Sequence, residues 1–205
     1  MQGFIIKLTR VRDEDMIVTI IREGSLQTLY RFYGARHSPI NIGFKIDYEA
    51  EYSLKSSIPR MKDVIHLGFE WMNQYERLRL WQQFITLFYP HLKDSESIGE
   101  FYFTLLHDAS MLWSDQNPKR VAIESYVKML DYEGRLHREL NCFFCDLPIE
   151  EDISLIRAFL PAHTECSHTL TISSKGLEWL YSNGSTLFLD DKECDRLWYV
   201  LNEGF

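Results

Sequence analysis

Two short segments carry the sharpest chemistry in this 205-residue chain. Cys142-Phe143-Phe144-Cys145 is followed, seventeen residues on, by His163-Thr164-Glu165-Cys166, giving C-x2-C-x17-H-x2-C. Two residues between ligands lets both side chains of a tight turn reach one ion, and two such turns supply the four N/S donors zinc prefers. With every coordination position filled by protein, none is left for substrate or water, so Cys142, Cys145, His163 and Cys166 are expected to hold a structural zinc. Cys194 and His168 are alternative fourth ligands. The competing reading makes Cys142 and Cys145 small buried core residues and leaves the histidines on the surface. A redox C-x2-C is disfavoured, because no βαβ pattern surrounds it.

A second constellation lies near the start. Lys7, Arg10, Arg12, Arg31 and Arg36 fall among Tyr30, Phe32 and Tyr33. Cations interleaved with aromatics on a small barrel can grip a phosphate chain and stack bases. The plain alternative turns the aromatics inward and leaves the charges to keep the surface soluble. Asp13-Glu14-Asp15 reads as a solvated turn rather than a cation site. Trp71, Trp81 and Trp113 sit among apolar residues and read as core. Five histidines (His37, His66, His91, His107, His137) pair with no nearby nucleophile, and G-x-S-x-G, P-loop, G-x-G-x-x-G and H-E-x-x-H are all absent. No enzyme is expected.

The elements that position these groups change character at about residue 68. Before it, five runs read as strands: Phe4 to Leu8, Met16 to Arg22, Leu26 to Tyr33, Ile46 to Tyr52 and Met61 to Leu67. In the fourth, Ile46, Tyr48, Ala50 and Tyr52 alternate with Asp47, Glu49 and Glu51. Five short strands with turns between them predict a small barrel, OB or SH3-like, which period alone does not separate. Beyond residue 68, Leu78, Trp81, Ile85 and Phe88 give helical spacing over 75–89, closed by Pro90. Further helices are expected over about 97–112, from Asn117-Pro118 to Leu140, from Ser174, and from Asp190 or Asp191. The expected class is α+β: an OB barrel over 1–68, then a helical domain over 69–205 with a zinc-binding segment at 141–168.

Composition sets the outer limits. Hydrophobic residues are 45% and charged residues 25%, the balance of a globular protein. The start lacks the pattern of a secretory signal, and no run reaches the roughly 18 apolar residues of a membrane helix. A cytoplasmic protein is expected, where four cysteines are more often thiols or metal ligands than disulfides. The net charge of −8 argues against a simple nucleic-acid binder. Its distribution is uneven, however. Residues 1–62 hold ten Lys/Arg and seven Asp/Glu, a balance of +3, and the remainder holds twelve and twenty-three, a balance of −11. A phosphate-binding surface is therefore expected near the N-terminus.

The order of these features resembles the RecO family of bacterial recombination mediators. Gly3-Phe4-Ile5-Ile6, the charged turn Asp13-Glu14-Asp15, the strand Ile17-Val18-Thr19-Ile20 and Tyr33-Gly34-Ala35-Arg36-His37-Ser38 match its opening. Helices followed by a C-x2-C pair, with a second pair about twenty residues on, match its layout. Two departures are His37, where the family has a second Arg after Gly-Ala-Arg, and His163, where it often has Cys. The resemblance implies a protein that binds single- and double-stranded DNA and anneals complementary strands. It also implies work with RecR to load RecA onto DNA covered by single-strand-binding protein, and a nucleoid-associated location. Arg36 and its neighbours would contact phosphate, and Cys142, Cys145, His163 and Cys166 would brace the helical domain. The competing function is a zinc-stabilised protein–protein interaction module without DNA binding, favoured by the acidic C-terminal part.

Overall fold

The computed structural model describes residues 1–95, 97–150 and 152–205. Five strands form first: β1 (Gln2–Arg12), β2 (Asp15–Arg22), β3 (Ser25–Arg31), β4 (Lys45–Ser53) and β5 (Ser56–His66). They close into a barrel in the order β1-β2-β3-β5-β4, with β4 pairing back onto β1. All neighbours are antiparallel except β3 and β5, which meet in parallel at Tyr30 and Arg60. That order and the one parallel seam make the barrel an OB fold. Register shifts in β1 between Ile5 and Lys7 and between Arg10 and Arg12 bend the strand so that the sheet can curl shut. Alternation sends Ile5, Val18, Ile20, Leu29, Ile46 and Tyr48 into the barrel core.

The chain divides into two compact units, Met1–Ser114 and Asp115–Phe205. The first holds the barrel and three helices, α1 (Tyr75–Thr86), α2 (Phe88–Leu92) and α3 (Phe101–Leu112). β1 explains why those helices belong with the barrel. Its Ile5 faces the barrel core, while Phe4 lies against Trp81 and Phe103, with ring centroids 6.0 and 5.8 Å away. Trp71, Trp81 and Trp113 are fully buried. Each indole N–H donates to a backbone carbonyl, of Ser110, Gly43 and Arg77 respectively, at 2.8, 2.7 and 3.0 Å. Burying those N–H groups unpaired would cost about 1–3 kcal/mol apiece.

Pro90 does not close the helix over 75–89. α1 ends at Thr86, and Pro90 lies in the first turn of α2, where a missing N–H costs nothing. α3 starts at Phe101 rather than near Ser97, after Gly99 has bridged to Gly24.

In the second unit, α4 (Pro118–Tyr132) begins where Asn117 accepts from the Lys119 amide at 3.0 Å, with Pro118 in its first turn. It stops well short of Leu140. Gly134, at φ +67°, ends it, and the Arg135 amide returns to the Leu130 carbonyl at 2.7 Å. A two-stranded hairpin that periodicity did not show follows: β6 (Ile153–Ile156) and β7 (Leu160–His163). It leads into the single turn α5 (Thr164–Ser167). α6 (Ser174–Asn183) is capped by Ser173, and α7 (Asp191–Asn202) by a reciprocal capping box of Asp190 and Glu193. No helix among the described residues is long and apolar enough to cross a membrane.

Candidate metal centre and nucleic-acid interface

Two turns bring the C-x2-C and H-x2-C segments together. The first is a tight loop in which the Asp146 amide donates to the Cys142 carbonyl and the Cys142 amide to the Leu147 carbonyl, each at 2.9 Å. Asp146 takes a left-handed conformation, φ +58°, to close it. The second runs off the end of β7, where His163 precedes α5 and Cys166 lies within it. A bond from the Phe143 amide to the Pro161 carbonyl, 2.9 Å, ties the loop to β7.

The ligand atoms of Cys142, Cys145, His163 and Cys166 all lie within 4.8 Å of one another. His163 Nδ1 is 3.4 Å from Cys145 Sγ and 3.9 Å from Cys166 Sγ. Tetrahedral zinc with its usual bond lengths sets ligand atoms about 3.6–3.8 Å apart, so the donor set and its spacing fit that ion. His168 and Cys194 lie outside the cluster. Cys194 is instead a buried residue of α7, its thiol pushed up to about 11 chiefly by burial.

The electrostatics of the cluster are compatible with a cation. Burial opposes ionisation of Cys142, but amide donors from His163, Cys145 and Phe144 outweigh it and bring the thiol down to about 6. The His163 amide lies 3.4 Å from that sulfur. Cys166 is pushed up to about 11, by burial and then by the sulfurs of Cys142 and Cys145 beside it. Three thiolates this close would repel strongly, and a divalent ion at their centre would offset that repulsion.

On the barrel, four of the five basic residues named from sequence gather around the turn between β1 and β2. Arg10 Nε donates to the Asp13 carbonyl at 2.6 Å, and Arg12 pairs with Asp15 in the strand register. Arg36 forms an ion pair with Glu14, and its own side chain remains 70% exposed. Arg31 is committed differently: it donates to the Met61 carbonyl at 2.8 Å and lies 2.9 Å from His37 Nδ1, and its Nε is buried without a partner. Lys7 lies apart from this group, its Nζ 5.4 Å from the centre of the Tyr89 ring.

The acidic turn is an anchor rather than a loose solvated loop. Asp15 accepts from the Tyr30 hydroxyl at 2.6 Å and from the Tyr33 amide at 2.9 Å, and the Ala35 amide donates to the Glu14 carbonyl. These bonds, Tyr30's first and the Tyr33 amide's next, hold the Asp15 carboxyl below its ordinary range. The Gly34–Arg36 turn is thereby pinned against the end of the barrel.

Sequence reasoning passed over Arg60. Its guanidinium lies 5.0 Å from the Phe32 ring, and that ring meets Tyr30 edge-on at 4.9 Å. Phe32 is half-exposed, so a flat aromatic capped by a cation sits at the end of β3. The signal was the parallel pairing of Tyr30 with Arg60, thirty residues on, which no local pattern contains.

Residues 1–72 match the family model described as RecO N terminal. That span contains all five barrel strands. No curated protein matches the chain.

Proposed function

We propose that this chain, whose residues 1–72 match the family model described as RecO N terminal, is a RecO-type mediator of recombination and repair that binds single- and double-stranded DNA and anneals complementary strands. It works with RecR to load RecA onto DNA covered by single-strand-binding protein, and it resides in the cytoplasm with the nucleoid. The family match carries this reading. The surface around the β1–β2 turn supplies its physical support.

Arg12 and Arg36 are the cations best placed to meet phosphate. Arg36 must leave Glu14 to do so, and an exposed ion pair of that kind is worth at most about 1 kcal/mol. Arg10 and Arg31, held by backbone carbonyls, keep the turn in shape and add positive potential. Lys7 extends that potential along β1. Phe32, with Arg60 over its face, offers a stacking surface for an unpaired base. Annealing in this scheme is a matter of holding two strands at high local concentration, and it consumes no nucleotide.

Cys142, Cys145, His163 and Cys166 hold one structural zinc. The ion neutralises the thiolates and ties the Cys142–Cys145 loop to the end of β7, so metal and local fold are gained together. Titrating labelled oligonucleotide into the purified protein tests the DNA reading. Binding that weakens with salt is expected, and no binding at low salt overturns it.

A further inference from the structure

The metal-ligand loop presents an apolar tip that neither the zinc nor the DNA reading uses. Phe143, Phe144 and Leu147 are 57, 55 and 61% exposed. The two phenyl rings meet edge to face, centroids 5.7 Å apart. The loop that carries them is held by the backbone bonds described above, so the side chains are displayed on a stiff support and lose little freedom on docking.

Charge around the tip is of one sign. Between positions 139 and 156 the chain has five Asp/Glu and neither Lys nor Arg. The carboxylates are also placed. A cleft of about 230 Å³ on one side is lined by Phe143 together with Glu139 and Asp146. On the other side lies the metal-ligand cleft of Cys145, His163 and Cys166, whose edge carries Leu147 together with Asp152 and Glu165. These four acids are exposed, and none makes an ion pair among the described residues.

We infer that the Phe143–Phe144–Leu147 tip is a docking surface for an amphipathic helix of a protein partner, its apolar face flanked by Lys or Arg side chains. The phenyl rings pack on that apolar face, and the partner's cations pair with the exposed carboxylates of Glu139, Asp146, Asp152 and Glu165 at its rim. Large aromatics at the centre with charge at the rim is the usual anatomy of a protein interface. Nucleic acid is disfavoured at this place, since four unpaired carboxylates repel phosphate. The inference stands whether or not the barrel binds DNA.

A labelled amphipathic helical peptide of Leu and Lys serves as the probe, with a Leu and Glu peptide as control, titrated into the full metal-loaded chain. Fluorescence anisotropy should show the Leu/Lys peptide binding and the Leu/Glu peptide not. F143S/F144S should weaken binding about tenfold or more, and E139Q/D146N/D152N/E165Q should weaken it and flatten its salt dependence. Metal content and circular dichroism check that both variants remain folded. Unchanged peptide affinity in folded F143S/F144S overturns the inference. So does a chain that self-associates through the tip, seen as loss of a dimer in F143S/F144S by sedimentation. Displacement of the peptide from the tip by an oligonucleotide equally overturns it.

Discussion

His163 Nε2 lies 3.2 Å from the carbonyl oxygen of Pro148. A carbonyl only accepts, so this nitrogen carries the proton, and Nδ1 turns its lone pair toward Cys145 and Cys166. A backbone acceptor on the far side of the ring is how metal-bound imidazoles are commonly fixed in tautomer and direction. The first prediction follows from it. Protein purified without chelator should hold about one zinc per chain, and H163C should retain it, because a fourth thiolate suits the same ion. C142S should lose the metal and lower the melting temperature by roughly 10 °C. Metal analysis beside thermal unfolding checks both, and a metal-free preparation would remove the site.

Asp15 ties the β1–β2 turn to β3, and its stabilising effect depends on pH. Its folded pKa is depressed, so the contribution is fully present above the unfolded value and is lost as pH falls through the folded one. Melting temperature should therefore fall on acidification below about pH 4 more steeply in the native chain than in D15N. Parallel acid profiles of the two proteins measure this. Identical slopes would mean that the Tyr30 and Tyr33 bonds do not discriminate the charged form.

Gly43 holds the barrel against α1. Its φ is +86°, and a Cβ there would stand 2.7 Å from Trp81 Cδ1, beside the carbonyl that receives the Trp81 N–H. G43A should destabilise the chain by about 2–4 kcal/mol, combining backbone strain with a displaced buried indole. Urea unfolding followed by tryptophan fluorescence reads the loss. A change under about 0.5 kcal/mol would show that the strand end relaxes freely.

Much of this architecture was legible because its signals are local. C-x2-C and H-x2-C spacing is written into two four-residue segments, and the structure brings those four side chains into one cluster. Alternation such as Ile46, Tyr48 and Ala50 revealed strands, and Asn117-Pro118 marked the start of α4. What remained hidden depends on long range or on brevity. OB and SH3-like barrels differ in which strands meet, and the β3–β5 seam joins Tyr30 to Arg60. β6 and β7 have four residues each, with Pro161 inside the second, so no alternation could build up. The compact-unit boundary at Ser114 comes from Phe4 facing Trp81 and Phe103, a contact that leaves the change of texture near residue 68 untouched.

Strand annealing by this protein should need no nucleotide. Complementary oligonucleotides mixed with it should anneal at the same rate with and without ATP. Acceleration that appears only when ATP is added would contradict a mediator that acts by holding strands together.

The central claim is that DNA is held electrostatically at the β1–β2 end of the barrel, and R36A tests it most directly. Arg36 is exposed and releasable from Glu14, so its loss should weaken binding to unrelated sequences by similar factors. Oligonucleotide titrations at three salt concentrations should show the slope of log K against log salt reduced by about 0.7 to 0.9, the release expected for one lost phosphate contact. F32A, run beside it, should weaken single-strand binding by about 1–3 kcal/mol while leaving the slope alone. An R36A protein with unchanged affinity and unchanged slope would contradict the account.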